Sequence, residues 1–158
     1  MSERASERTV IRETPERIFE IITDYGAYPT WATNVKEVEV QRLDEDGRAG
    51  LVAYRAAAMG RSAAYVLEYF YGTNPLRVSW RLAQGDLVRR LDGRYVLSAL
   101  DDDAAGPRTE VTYELEVDVS MPMSGFLRRR AESRILRTAL EDLRSWVEEG
   151  THSQQPTG

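Results

Sequence analysis

The chain has 158 residues, 42% of them apolar and 30% charged, the balance of an ordinary globular domain able to bury a sizeable core. A formal net charge of −5 argues against a nucleic-acid partner, which needs a net basic surface or at least a basic stripe. With no cysteine and one histidine, His152 in a polar tail, there is no thiol chemistry and no His/Cys cluster, so neither a metal nor a cofactor is expected.

No run approaches the length of a membrane span and the first residues lack an apolar leader, so stable membrane insertion is not expected and a reducing cytoplasm is the default compartment. All basic residues but Lys36 are arginine, which reads as genome composition. No linker interrupts the chain; one domain over 1–149 and a frayed tail over 150–158 are expected.

Residues 7–13 form a short β-prone segment. Thr14-Pro15 then reads as a helix start, with Thr14 as N-cap and Pro15 at the first helical position; Ile18, Phe19, Ile21 and Ile22 give that helix an apolar face. A second short helix, roughly 27–33, carries Tyr28-Pro29 and Trp31. From Val35 the period changes to two. Strands are expected at 35–40, 51–59, 62–71, 77–82 and 87–100, separated by turn signals at 45–47, Gly60-Arg61, 72–75 and Gly85-Asp86.

The acidic stretch 101–108 reads as a solvated loop. It leads to 109–119, the cleanest alternation in the chain, with Val111, Tyr113, Leu115, Val117 and Val119 on one face and Thr112, Glu114, Glu116 and Asp118 on the other. Pro122 marks a break. Residues 123–149 then repeat apolar positions at threes and fours, from Phe126 to Val147, as one long amphipathic helix. The fold class expected is therefore α+β: a curved antiparallel sheet of six to seven strands wrapped round a long C-terminal helix, with two short helices after the first strand.

This order, with the stretch TPERIFEIITDYGAYPTW and the following VKEVEV, the segment GDLVRRLDGRY and the helix opening PMSGFLRRR, resembles the START-like helix-grip superfamily. Within it the resemblance is greatest to the polyketide cyclase/dehydrase and lipid-transport group, which includes coenzyme Q-binding proteins. It covers about residues 7–149. The resemblance implies a cavity between the concave sheet face and the last helix, entered near the short helices, and a small hydrophobic ligand (a lipid, an isoprenoid quinone or a polyketide-like molecule) as the partner.

The alternation by itself places Tyr65 and Tyr69, Trp80, Tyr95 and Tyr113 on the inner face, and buried phenols suit a cavity better than a solid core, because each hydroxyl needs a partner. Trp31 stands where the implied entrance lies, either gating it or pinning the second helix. Arg55 is ambiguous: one register of 51–59 turns it inward, where it would anchor an anionic ligand group, and the other turns Val52, Tyr54 and Ala56 inward and leaves it in water. Gly93 is expected to let the sheet bend. The run Arg128–Arg130, with Arg134 and Arg137, reads as a solvated face paired with Glu132, Glu141 and Asp142, or as a surface for an anionic membrane or ribosomal RNA.

Three functions remain open at this level: a carrier, an aromatase/cyclase-type enzyme, and a ribosome- or protein-interaction module. No residue is assigned as catalytic, since the acids that alternation can place, Glu68, Glu114, Glu116 and Asp118, fall on the wet face. The oligomeric state is not legible.

Overall fold

The computed structural model describes residues 4–58, 60–120 and 122–153. Strand β1 (Ala5–Ile11) is followed by helix α1 (Pro15–Ile22), a single 3-10 turn (Tyr25–Ala27) and helix α2 (Tyr28–Trp31). Strands β2 (Val35–Leu43), β3 (Ala49–Ala58), β4 (Arg61–Thr73), β5 (Leu76–Gly85), β6 (Val88–Asp103) and β7 (Gly106–Val119) lead to helix α3 (Gly125–Ser153). The strands form a seven-stranded sheet in the order β1-β7-β6-β5-β4-β3-β2. Every neighbouring pair is antiparallel, so β2 to β7 is a meander and β1 joins it at the far edge.

The local signals explain where elements start. Thr14 Oγ1 accepts from the Arg17 amide at 3.2 Å, and Pro15 opens α1, whose Ile18 and Ile22 are fully buried. In β7 the alternating residues Val111, Tyr113, Leu115, Val117 and Val119 are buried on the concave face. Helix α3 offers Leu136, Leu140, Leu143 and Val147 to that face and packs mainly on β1 and β7. Each such aliphatic side chain contributes about 1.5–3 kcal/mol on burial. Because α3 packs on β1 and β7 and α1 on β5 and β6, the concave surface beside β3 and β4 is closed by Tyr28 and Trp31 of α2 and by other aromatic side chains.

Three expectations are corrected. The stretch 101–108 is not a loop: β6 runs to Asp103 and β7 starts at Gly106, whose φ of +109° suits glycine at a tight reversal. The acids are accommodated because both Asp103 carboxylate oxygens accept from Arg12 Nη1 (2.9 and 3.0 Å) and Oδ1 also accepts from the Ala105 amide (2.9 Å). Those partners hold its carboxyl below the usual range, the Arg12 hydrogen bond most of all. Helix α3 continues through Ser153, so 150–153 belong to it; the rest of the expected tail, 154–158, lies outside the described residues.

Glu132, expected on a solvated face, is 2% exposed and accepts from the Val117 amide at 3.2 Å. The pairing of β1 with β7 runs from Ala5 opposite Leu115, so Val117 is the next amide along that edge, and Glu132 takes it.

Gly93 marks a close approach. Pairing of β5 with β6 runs from Leu76–Leu97 to Trp80–Gly93, and beyond it the Asp92 carboxylate takes the Leu82 amide at 3.0 Å. A Cβ on Gly93 would lie 2.7 Å from Trp80 Cζ2 and 2.7 Å from the Glu114 carbonyl oxygen, so only glycine lets the indole rest on this strand.

Candidate functional site

Between the concave face, α2 and α3 lies a predominantly apolar cavity of about 180 Å³. An apolar cavity of about 150 Å³ is enough to take up benzene, so the space here suits one or two rings. The cavity opens beside Thr33, Asn34, Ala57, Ile135 and Thr138, which also line a groove on the surface.

Six of the seven residues singled out from the sequence line this cavity: Trp31, Tyr65, Tyr69, Trp80, Tyr95 and Tyr113. Arg55 does not. It is exposed on the convex face, with its guanidinium 2.5 Å from Glu37, the residue directly opposite it on β2. The reason is pairing parity. Tyr65 faces inward and stands opposite Tyr54, and directly opposed residues of antiparallel strands share a face. Hence Val52, Tyr54 and Ala56 point in, and Arg55 points out.

Tyr54 and Tyr28 are lining residues not singled out beforehand. The signal for Tyr54 was the tight β3–β4 connection, which fixes the parity. For Tyr28, a four-residue helix carries no periodicity to read.

The aromatic rings form a continuous wall. Tyr95 and Tyr113 lie 4.4 Å apart between centroids, Trp80 is 5.6 and 5.7 Å from them, and Tyr69 is 5.8 Å from Trp80. Tyr54 stacks on Tyr65 at 5.4 Å, and Tyr28 bridges Tyr54 to Trp31, at 6.4 and 5.0 Å. Trp31 thus both braces α2 and closes one side of the cavity.

The hydroxyls divide into two sets. Tyr71 donates to the Ala49 carbonyl at 2.7 Å and accepts from Tyr25 at 2.9 Å, Tyr28 donates to the Ile22 carbonyl, and Tyr54 and Tyr69 bond each other at 2.5 Å. The hydroxyls of Tyr65, Tyr95 and Tyr113 have no hydrogen-bond partner among the described residues, and neither has the buried indole N–H of Trp31. Burial raises all of these phenols: Tyr65 is pushed up to about 12, and Tyr95 and Tyr113 well above the ordinary value. At neutral pH the cavity therefore presents neutral O–H and N–H donors rather than phenolate bases.

One carboxylate, Asp142, belongs to the lining among the described residues, and it is committed to Thr33. Among the described residues no histidine, lysine, arginine or cysteine lines the cavity. The arrangement can hold a flat apolar molecule and donate hydrogen bonds to oxygen atoms on it.

Several solved structures share this architecture. A START superfamily protein from Mycobacterium smegmatis superposes with a TM-score of 0.85 at 22% identity, over 92% of this chain and 97% of that one. A protein from Thermus thermophilus gives 0.74 at 22% identity over 98% and 100% of the two chains. The Zhui aromatase/cyclase from Streptomyces sp. R1128 gives 0.72 at 11% identity over 93% and 96%. At these identities the likeness speaks for the fold. No curated protein matches the sequence. The model of one family, polyketide cyclase/dehydrase and lipid transport, matches residues 11–144, and the chain belongs to that family.

Proposed function

We propose that this protein binds and carries a small, ring-bearing hydrophobic molecule whose oxygen atoms accept hydrogen bonds inside the cavity. The observation that carries this reading is the set of donors at Tyr65, Tyr95, Tyr113 and Trp31 that meet no acceptor among the described residues, within a space lined by apolar carbon. The Trp31 N–H is buried outright, and a buried polar group left unpaired costs about 1–3 kcal/mol; the three hydroxyls are turned to the cavity space, where phenylalanine would fill the same wall with no polar group to satisfy. A ligand carbonyl or ether oxygen removes the penalty. Among lipids, isoprenoid quinones and polyketide-like molecules, those with oxygenated rings match both the aromatic wall and the donors. The absence of cysteine suits a reducing compartment, and the cytoplasm is the proposed location.

A second reading, a cyclase acting on a poly-β-ketone chain, draws on the same donors, since phenols aimed at a carbonyl also stabilise an enolate. Carriage is favoured because the lining supplies no free general base among the described residues. Native mass spectrometry of the protein purified without denaturation tests the proposal: an apolar molecule should accompany the folded chain at one per protein. A chain that neither co-purifies with nor takes up any oxygenated aromatic molecule would contradict it. Turnover of a poly-β-ketone mimic, lost in Tyr95→Phe, would instead establish the cyclase.

A further inference from the structure

The groove outside the cavity mouth has a different chemistry from the cavity. Its volume is about 750 Å³, and Arg130, Arg134 and Arg137 line it beside Leu127 and Ile135 of the same helix, with Ala57 and Gly60 of the β3–β4 hairpin opposite. Positions 130, 134 and 137 are spaced to stand on one helix face, and like charges three or four apart weaken a helix by a few tenths of a kcal/mol per pair.

On the sheet such charges are often neutralised, although Arg128 and Arg129 of this helix, like the groove arginines, make no ion pair among the described residues. On the convex face Arg55, Arg81, Arg90 and Arg94 each meet a carboxylate, of Glu37, Glu68, Glu116 and Glu114 in turn. The three groove arginines make no ion pair among the described residues; Arg137 reaches only the Ser133 carbonyl, at 3.5 Å. Glu141, four residues after Arg137 and so next to it on the helix, makes no ion pair with it among the described residues, while Glu132 and Asp142 are engaged elsewhere, with the Val117 amide and with Thr33.

Resting on the cavity reading above, we infer that the groove is the second half of the ligand site and binds an oxyanion, a carboxylate or phosphate, at the free end of a molecule whose ring lies in the cavity. The two compartments share Thr33, Asn34, Ala57, Ile135 and Thr138 and so adjoin, which sets the arginines next to the space that would hold the ring. Guanidinium forks match oxyanion geometry, and the apolar neighbours Leu127 and Ile135 accommodate the connecting chain. The ligand class is thus an amphiphile: an oxygenated ring, a short apolar linker and an anionic terminus.

Calorimetric titration with a naphthyl butanoic acid and with its methyl ester separates the two levels. The acid should bind roughly tenfold more tightly than the ester at low salt, as expected for a few partly exposed ion pairs. Replacing all three arginines (Arg130→Gln, Arg134→Gln and Arg137→Gln) should erase that preference while the ester affinity stays the same. Arg144→Gln, on the same helix but paired with Glu148, should leave the preference intact. Equal binding of acid and ester to the natural protein overturns the inference and leaves the cavity reading standing; failure of both to bind overturns both. If the acid shows no preference and the arginines instead govern co-sedimentation with phosphatidylcholine–phosphatidylglycerol vesicles, they serve a membrane surface, and the inference is wrong.

Discussion

Asp142 of α3 accepts two hydrogen bonds from Thr33, one from its amide at 2.8 Å and one from its hydroxyl at 3.0 Å, and so ties the segment after α2 to the long helix at the cavity mouth. Both residues also line the cavity. The tie is exposed to solvent, so breaking it should cost little stability, about 1 kcal/mol or less. Its effect should be kinetic. Asp142→Ala should speed ligand release several-fold in stopped-flow displacement while shifting the denaturation midpoint only slightly; an unchanged release rate would remove the latch role.

The two sets of tyrosine hydroxyls should respond oppositely to phenylalanine. Tyr54→Phe strands the Tyr69 hydroxyl, its partner at 2.5 Å, and should lower stability by about 1–3 kcal/mol. Tyr95→Phe and Tyr113→Phe remove hydroxyls with no partner among the described residues and should leave stability equal or higher. Each should weaken an oxygenated ligand by about 0.5–1.5 kcal/mol, or roughly threefold to tenfold. Chemical denaturation and calorimetry on the same variants read both quantities.

Every tyrosine has a raised phenol in the folded state, with burial the leading cause throughout. The sign follows from proton counting. Below about pH 10 folded and unfolded chains are both protonated at tyrosine, so these groups add no pH dependence. Above it the unfolded chain loses phenolic protons first, and stability falls as pH rises toward the folded value, about 12 for Tyr65. Each such phenol adds up to about 1.4 kcal/mol per pH unit to the slope. Tyrosinate absorbance should therefore appear together with loss of circular dichroism rather than before it. A gradual titration of several phenols in the folded protein would count against the burial described.

Gly93→Ala should be costly despite its small size, because the new Cβ meets the Glu114 carbonyl oxygen at 2.7 Å as well as the Trp80 ring. A backbone oxygen cannot swing aside, so a loss of about 2 kcal/mol is expected. Thermal denaturation checks it. Trp80 fluorescence should shift in the variant, since its indole is displaced.

Much of the scaffold was readable because two periodicities, of two in β7 and of three to four in α3, are uninterrupted, and because Thr14-Pro15 is an unambiguous helix start. The inward aromatics of β4 to β7 followed from the same alternation. Arg55 was ambiguous only while β3 was read alone: its alanines carry little periodicity, but pairing with β4 across a tight turn leaves one parity. Glu132 lies four residues before Leu136 and eight before Leu140, on the buried stripe, yet nothing in a helix pattern says that an open strand amide waits there. A cavity was expected from the inward phenols and from the family resemblance, but its volume was not legible, because it depends on how far α3 sits toward β1 and β7.

The central claim is that the space among Tyr65, Trp80, Tyr95 and Tyr113 is a binding site, and filling it gives the most direct test. Ala63 is 5% exposed, lines the cavity and faces its β3 partner Ala56. Titration with the fluorescent neutral probe N-phenylnaphthylamine should saturate at one molecule per chain, and Ala63→Phe should abolish that uptake while the folded circular dichroism spectrum is kept. Uptake undiminished by the filled cavity, or no saturable uptake by the natural protein, would contradict the account.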